Sequence, residues 1–131
     1  MSNNLKHCAN ARPPASLPQC AHVGDAVWEL FVREITITLT QNQTQLHRLT
    51  VKFVNATSQA QFMRDLEPYL TPEELELAKR ARNLPLGVSK KSDPQTHTLA
   101  TAFEALIGHL HLNDKNRLQE ILGILKSRIT I

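Results

Sequence analysis

The sequence predicts an all-α protein with a single core. Apolar residues recur at helical spacing along most of the chain, and no segment needs a partner strand. The length of 131 residues suits one domain, since typical domains contain on the order of 100–150 residues. The longest apolar runs are only a few residues long, so the sequence predicts no helix that spans a bilayer.

A flexible arm is predicted over residues 1–18, followed by one helical domain over residues 19–131. The arm shows no periodicity and carries Pro13, Pro14 and Pro18. Its first dozen residues are polar and lack the apolar stretch of a secretory signal. Two cysteines make no disulfide framework, so a soluble cytoplasmic protein is expected.

The first helix is predicted over residues 19–39, where apolar side chains recur at helical spacing: Val23, Val27, Leu30, Phe31 and Ile35. The β-branched run at residues 35–38 is typical of strands. It ends a strong helical pattern, however, and no partner strand is visible, so we interpret it as helix.

A second helix is predicted over residues 43–70, with a break or kink near Asn55. Its apolar stripe contains Leu46, Leu49, Phe53, Ala56, Ala60, Met63 and Leu66. The third helix is predicted over residues 72–83. It starts with an N-cap threonine, a proline at the first helical position and a capping-box glutamate: Thr71, Pro72 and Glu74.

Residues 84–94 are predicted to form a loop, because prolines, serines and a glycine interrupt the helical pattern. Helix resumes over residues 95–112, with an inward face of Leu99, Ala102, Phe103, Leu106, Ile107 and Leu110. The pair Asn113-Asp114 then caps a last helix, whose buried face is predicted to contain Leu118, Ile121, Leu122, Leu125 and Ile129.

Two carboxylates interrupt apolar helices. Asp25 and Glu104 each have apolar or small neighbours on both sides and lie next to a core stripe. A charge in that position needs a compensating partner, which a polar contact between helices or a helix N-terminus could supply. The alternative is a shared site for a hard cation, because Mg²⁺ prefers a few carboxylates together with retained waters.

A basic stretch stands out within the formal net charge of +3. Between residues 76 and 91, five cations face a single acid, Glu76: Lys79, Arg80, Arg82, Lys90 and Lys91. The stretch fits either a solvated helix face and loop or a surface that binds an anionic partner.

Around these residues, four segments resemble in order the motifs of the ribonuclease III catalytic domain. The resemblance is closer to Mini-ribonuclease III, the subfamily without the double-stranded-RNA-binding domain. It spans residues 19–112 and rests on Gly24-Asp25-Ala26-Val27-Trp28-Glu29 with Val32-Arg33, Leu46-His47 with Val54-Asn55-Ala56-Thr57-Ser58-Gln59-Ala60, Lys79-Arg80-Ala81-Arg82-Asn83, and Asp93-Pro94-Gln95-Thr96 with Thr101-Ala102-Phe103-Glu104-Ala105-Leu106-Ile107-Gly108.

The resemblance implies a homodimeric, all-α endoribonuclease with the ribonuclease III endonuclease-domain fold. Asp25 and Glu104 are then the catalytic acids that bind Mg²⁺, and Glu29 and Thr101 are candidates for supporting roles beside them. The implied substrate is double-stranded precursor ribosomal RNA, trimmed at the 23S ends to leave 5′-phosphate and 3′-hydroxyl groups. The RNA-binding residues would be the five cations Lys79, Arg80, Arg82, Lys90 and Lys91.

The implied setting is the bacterial cytoplasm rather than a plastid, without a membrane partner and with a ribosomal protein as a candidate accessory. Full-length ribonuclease III has two further acids, where this chain has Ala21 and Thr101. Mini-ribonuclease III shares that reduced set. The pair His97-Thr98 replaces an expected tyrosine and basic residue.

Two other functions fit the same fold. One is a catalytically idle RNA-binding module that acts in ribosome biogenesis, and the other is a purely structural helical dimerisation domain. Mg²⁺-dependent cutting of duplex RNA would exclude both. In the expected homodimer, Trp28 and Phe31 are candidates for the interface, and the alternative is that they belong to the core of one chain. A zinc site is disfavoured, because His7, Cys8, Cys20 and His22 match no usual ligand spacing.

Overall fold

The computed structural model describes residues 13–85 and 93–131, and every regular element within those ranges is helical. The order is α1 (Leu17–Leu39), α2 (Gln43–Val54), α3 (Ala56–Leu66), a 3₁₀ turn (Glu67–Tyr69), α4 (Pro72–Arg82), α5 (Pro94–Asn113) and α6 (Lys115–Lys126). The all-α prediction is confirmed. None of these helices is long and apolar enough to cross a membrane.

Helix α1 begins at Leu17, two residues before the sequence predicts. Ser16 and Gln19 form a capping box, in which each side chain accepts a hydrogen bond from the other residue's backbone nitrogen, at 3.0 and 3.3 Å. Pro18 lies in the first turn, where a missing N–H costs nothing. The predicted arm therefore loses its last two residues to α1, and residues 1–12 lie outside the described ones.

The predicted break at Asn55 is confirmed, and this residue both ends α2 and caps α3. Its Oδ1 accepts a hydrogen bond from the Ser58 nitrogen at 2.8 Å, and its Nδ2 donates to two carbonyls of α2 at 3.1 Å. Helix α3 ends at Leu66 and tightens into the 3₁₀ turn, so the helix predicted to reach residue 70 is shorter.

Helix α4 carries the predicted capping box between Thr71 and Glu74. The buried Glu74 also binds Arg117 of α6 through two hydrogen bonds of 2.9 Å, and this interaction lowers the pKa of the Glu74 carboxyl. Arg117 additionally donates to the Tyr69 carbonyl at 2.8 Å. These bonds fix α6 against the start of α4.

Helix α5 is the centre of the fold and packs against α1, α3, α4 and α6. It begins at Pro94 with Asp93 as N-cap, and every residue of its predicted inward face is buried. Residues 86–92 of the predicted loop lie outside the described ones. Beside α5, Trp28 is fully buried, packs edge-on against Phe103 at 4.9 Å and donates to the Phe53 carbonyl at 2.9 Å. Trp28 therefore belongs to this chain's own core.

Helices α1 and α5 cross in direct backbone contact at two glycines. A β-carbon on Gly24 would overlap the Glu104 carbonyl and lie 2.9 Å from the Gly108 nitrogen. A β-carbon on Gly108 would overlap the Cys20 carbonyl and lie 2.8 Å from the Gly24 nitrogen. Only glycine allows this approach, because the obstructing atoms are backbone and cannot rotate away.

We expect Gly108→Ala to destabilise the protein by about 3 kcal/mol, because the added methyl must push the two helices apart. Gly123→Ala is the matched control, since a β-carbon at that exposed position of α6 meets nothing within 4 Å. There the same change should stabilise the protein by roughly 0.5–1 kcal/mol through helix propensity. Chemical denaturation measures both values, and equal effects at the two positions would contradict the close crossing.

Candidate active site

The glycine crossing brings Asp25 and Glu104 together from different helices. Asp25 follows Gly24 in α1, and the backbone of Glu104 in α5 lies against that glycine. The two carboxyl groups lie close enough for Asp25 to raise the pKa of Glu104. Asp25 is exposed, whereas Glu104 is partly buried. The pair is thus open to solvent on the Asp25 side and enclosed by the fold on the Glu104 side.

Burial raises the pKa of Glu104 to about 8, and the neighbouring Asp25 carboxyl contributes to the same shift. Two carboxylates at this distance repel each other when both are ionised, so a shared proton or a cation relieves the repulsion. The Gln59 side chain opposes the shift, because its amide favours the ionised form of Glu104.

The donor set of this pair fits a hard divalent cation. Carboxylate oxygens are the ligands that Mg²⁺ prefers, and Mg²⁺ commonly binds one or two of them while keeping several waters. In residues 13–85 and 93–131, no group of three or more histidine, cysteine or acidic side chains could hold a metal. A third histidine, cysteine or acidic side chain of these residues therefore does not join Asp25 and Glu104.

Gln59 is a buried polar residue to which the sequence analysis assigns no role. Its side chain is only 3% exposed, and its Nε2 is buried without a hydrogen-bond partner among the described residues. The signal was present in the sequence, since Gln59 lies three residues after Ala56 and four before Met63 on the apolar stripe of α3. A polar residue interrupting an apolar stripe is the same pattern that indicated the two acids.

Glu29 and Thr101, the predicted supporting residues, hydrogen-bond within their own helices in the described structure. Glu29 forms an ion pair with Arg33 at 3.0 Å on the surface of α1. The buried Thr101 donates to the His97 carbonyl at 3.0 Å. Their supporting roles beside the acid pair stay predictions.

The basic stretch is described only in part. Lys79, Arg80 and Arg82 are exposed in the last turn of α4, while Lys90 and Lys91 lie outside the described residues. An open groove of about 550 Å³ separates this turn from the start of α5, and it is lined by Lys79, Arg82, Asn83, Pro94, Gln95 and Thr98. Two cations of the basic turn, Lys79 and Arg82, thus line this groove.

Comparison with known proteins identifies the family. A family model described as the ribonuclease III domain matches residues 19–115, which include both acids, Gln59 and the basic turn of α4.

The chain belongs to the ribonuclease III domain family.

Several relatives are named Mini-ribonuclease 3, which confirms the resemblance to that subfamily. The protein from Gloeobacter violaceus is 46% identical over 109 residues, covering 83% of this chain and 81% of its own length. The protein from Thermosynechococcus vestitus is 40% identical over 121 residues, covering 92% of this chain and 78% of its own length. A crystal structure of a protein from Fusobacterium nucleatum superposes with a TM-score of 0.76 at 27% identity, covering 86% of this chain and 93% of that one.

We expect the metal-free Glu104→Gln variant of this ribonuclease III domain to gain stability relative to wild type as pH rises. The pKa of Glu104 is about 8 in the fold, above its ordinary value of 4.5. A carboxyl whose pKa is raised by folding contributes its full stability to the fold at a pH below its ordinary pKa. That contribution is lost as the pH rises through the pKa that the carboxyl has in the fold. Melting temperatures in chelator between pH 5 and 8 test this. If the difference in melting temperature between wild type and Glu104→Gln does not change with pH, the pKa of Glu104 is not raised by folding.

Proposed function

We propose that this endoribonuclease cuts double-stranded regions of precursor ribosomal RNA, trimming the 23S ends and leaving 5′-phosphate and 3′-hydroxyl groups. One observation carries the proposal: Asp25 and Glu104 meet at a surface that is open on the Asp25 side. The relatives named Mini-ribonuclease 3 support it, since they match over 72–81% of their own length. The proposed setting is the bacterial cytoplasm, and a ribosomal protein is a candidate accessory.

Asp25 and Glu104 are the residues that would hold Mg²⁺. The ion, when bound, supplies an activated water and neutralises charge on the phosphate in phosphodiester hydrolysis. Asp25, being exposed, is the acid that an RNA phosphate approaches first. Glu104 directly follows Phe103, which packs edge-on against the buried Trp28, so the core fixes the backbone that carries Glu104. The fixed Glu104 keeps the site formed, and the exposed Asp25 leaves it open to a bulky substrate.

We expect Asp25→Asn and Glu104→Gln to lower the rate of duplex RNA cleavage by about 10³-fold or more, since each removes a charge worth several kcal/mol of transition-state stabilisation. Each change keeps the size of the side chain and removes like-charge repulsion, so the variants should stay folded. The assay incubates purified protein with duplex RNA, with and without Mg²⁺. Cutting by either variant at a near-normal rate would refute the assignment. If the wild-type protein binds RNA but does not cut it, the alternative function of a catalytically idle RNA-binding module is favoured.

The basic turn of α4 is the surface that we propose binds the RNA backbone. Lys79, Arg80 and Arg82 are exposed together at one helix end, and two of them line the groove beside α5. Duplex RNA is bound mainly through phosphates, 2′-hydroxyls and shape, which suits a short row of cations. We propose that Lys90 and Lys91, which lie outside the described residues, also bind the RNA backbone.

We expect the triple variant Lys79→Gln, Arg80→Gln, Arg82→Gln to bind RNA more weakly and with a shallower salt dependence. Removing up to three phosphate contacts lowers the slope of log K against log salt by up to about three. KM should rise while kcat and the Mg²⁺ requirement stay unchanged. A matched control neutralises three exposed cations elsewhere, Arg48, Arg64 and Lys115. If both triple variants behave alike, only net charge matters and the basic turn is a solvated surface.

We further propose that the protein is a homodimer, with an apolar face of α1 and α6 covered by a second copy. Leu30 is 58% exposed at the edge of a groove of about 460 Å³. The apolar lining comes from both helices: Val27, Leu30, Phe31, Ile35, Leu118 and Leu122. An apolar groove with a large exposed leucine is typical of a protein interface. Two copies would place two acid pairs on one duplex.

We expect wild-type protein to sediment as a dimer at micromolar concentration and Leu30→Glu to shift it to monomer. The leucine is exposed, so a charge there costs little in the single chain but is buried in the interface. Val51→Glu is the control, since Val51 is 47% exposed on α2, away from this groove. A monomeric wild type, or a Leu30→Glu variant that still dimerises, would contradict the proposed interface.

A further inference from the structure

Gln59 is buried on α3, and its side-chain nitrogen makes no hydrogen bond among the described residues. A buried amide donor without a partner destabilises a fold, because the hydrogen bond that it makes to water in the unfolded chain is not replaced. Such groups are rare in proteins, and each requires an explanation. The apolar stripe of α3 would accept a leucine or methionine at this position, so packing alone does not account for glutamine.

The position of Gln59 is fixed by the joint between α2 and α3. Asn55 caps α3, and the backbone nitrogen of Gln59 donates to the Asn55 carbonyl at 3.0 Å. The Ser58 hydroxyl bonds back to the Lys52 carbonyl at 2.5 Å, which ties the first turn of α3 to α2. Helix α3 packs against α5, the helix that carries Glu104. The Gln59 side chain lowers the pKa of Glu104, which indicates that the two side chains are neighbours. Glu104 is thus approached by Asp25 from α1 and by Gln59 from α3.

We propose that Gln59 is a positioning residue, which orients the Glu104 carboxylate by a hydrogen bond from Nε2 so that its other oxygen is directed to a divalent cation shared with Asp25. The inference rests on the proposed function, because it concerns the metal site of the same reaction. Hydrogen bonds to ligating carboxylates fix their geometry. An amide suits this role, because it donates a hydrogen bond without adding a positive charge that would compete with the cation.

The test compares Gln59→Leu and Gln59→Met with wild type, since both changes keep the approximate size and remove the donor. Mn²⁺ binding to the RNA-free protein, measured by calorimetry, should weaken by about 10- to 100-fold. The Mg²⁺ concentration for half-maximal cleavage should rise by a similar factor, with KM for duplex RNA unchanged at saturating Mg²⁺. The melting temperature in chelator should stay equal or rise, because an unpaired buried donor has been removed.

The control is Thr50→Val, at a buried polar residue of α2 whose hydroxyl is already paired. Thr50 is 6% exposed, and its Oγ1 donates to the Leu46 carbonyl at 2.9 Å. This change should lower the melting temperature and leave Mn²⁺ binding unchanged. Thr50→Val should thus lose stability but keep its metal affinity, whereas the Gln59 variants should keep their stability but lose metal affinity. This contrast distinguishes a positioning role from a general structural role.

Two outcomes overturn the inference alone. If wild type cuts RNA and a folded Gln59 variant binds Mn²⁺ with wild-type affinity, Gln59 does not position Glu104, and the proposed function stands. If the Gln59 variants and Thr50→Val lose stability and metal affinity together, Gln59 is only structural. Wild type that neither binds Mn²⁺ nor cuts duplex RNA is a different result, because it overturns the proposed function and this inference with it.

Discussion

Helices α1 and α5 meet with no side chains between them, at Gly24 and Gly108. This contact sets the separation of the helices that carry the two acids. Asp25 directly follows Gly24, and the backbone carbonyl of Glu104 lies against Gly24. The core then locks the crossing, since Trp28 lies one turn after Asp25 and packs on Phe103. The acid pair is therefore a consequence of backbone packing, and a single methyl group at the crossing would displace it.

The crossing imposes an electrostatic cost that the fold alone does not relieve. Burial and the nearby Asp25 both disfavour ionised Glu104, and the unpaired Gln59 donor adds a second unfavourable group in the same region. Proteins retain such local conflicts at sites where a ligand resolves them. A divalent cation would resolve both, because it favours two carboxylates and leaves an ionised Glu104 to accept a hydrogen bond from Gln59.

Much of the fold could be predicted from sequence, because apolar spacing and caps are local signals. The break at Asn55 and the capping box at Thr71 follow from such signals and are present in the structure. The predicted start of α1 is two residues late, because Pro18 is typical of a flexible arm although proline is also compatible with a first helical turn. The two acids were selected because a charge interrupts an apolar stripe. Gln59 follows the same pattern, but a neutral amide gives a weaker signal, and its proximity to Glu104 depends on how α3 packs against α5.

We propose that the glycine crossing holds Asp25 and Glu104 as one site for a divalent cation. Anomalous diffraction from crystals grown with Mn²⁺ tests this claim most directly. We expect one strong peak per chain within coordination distance of both carboxylates, roughly 2.0–2.3 Å as for small oxygen-ligated cations, and no such peak in Asp25→Asn crystals. A peak bound to other residues, or an acid pair without a peak at saturating Mn²⁺, would contradict the account.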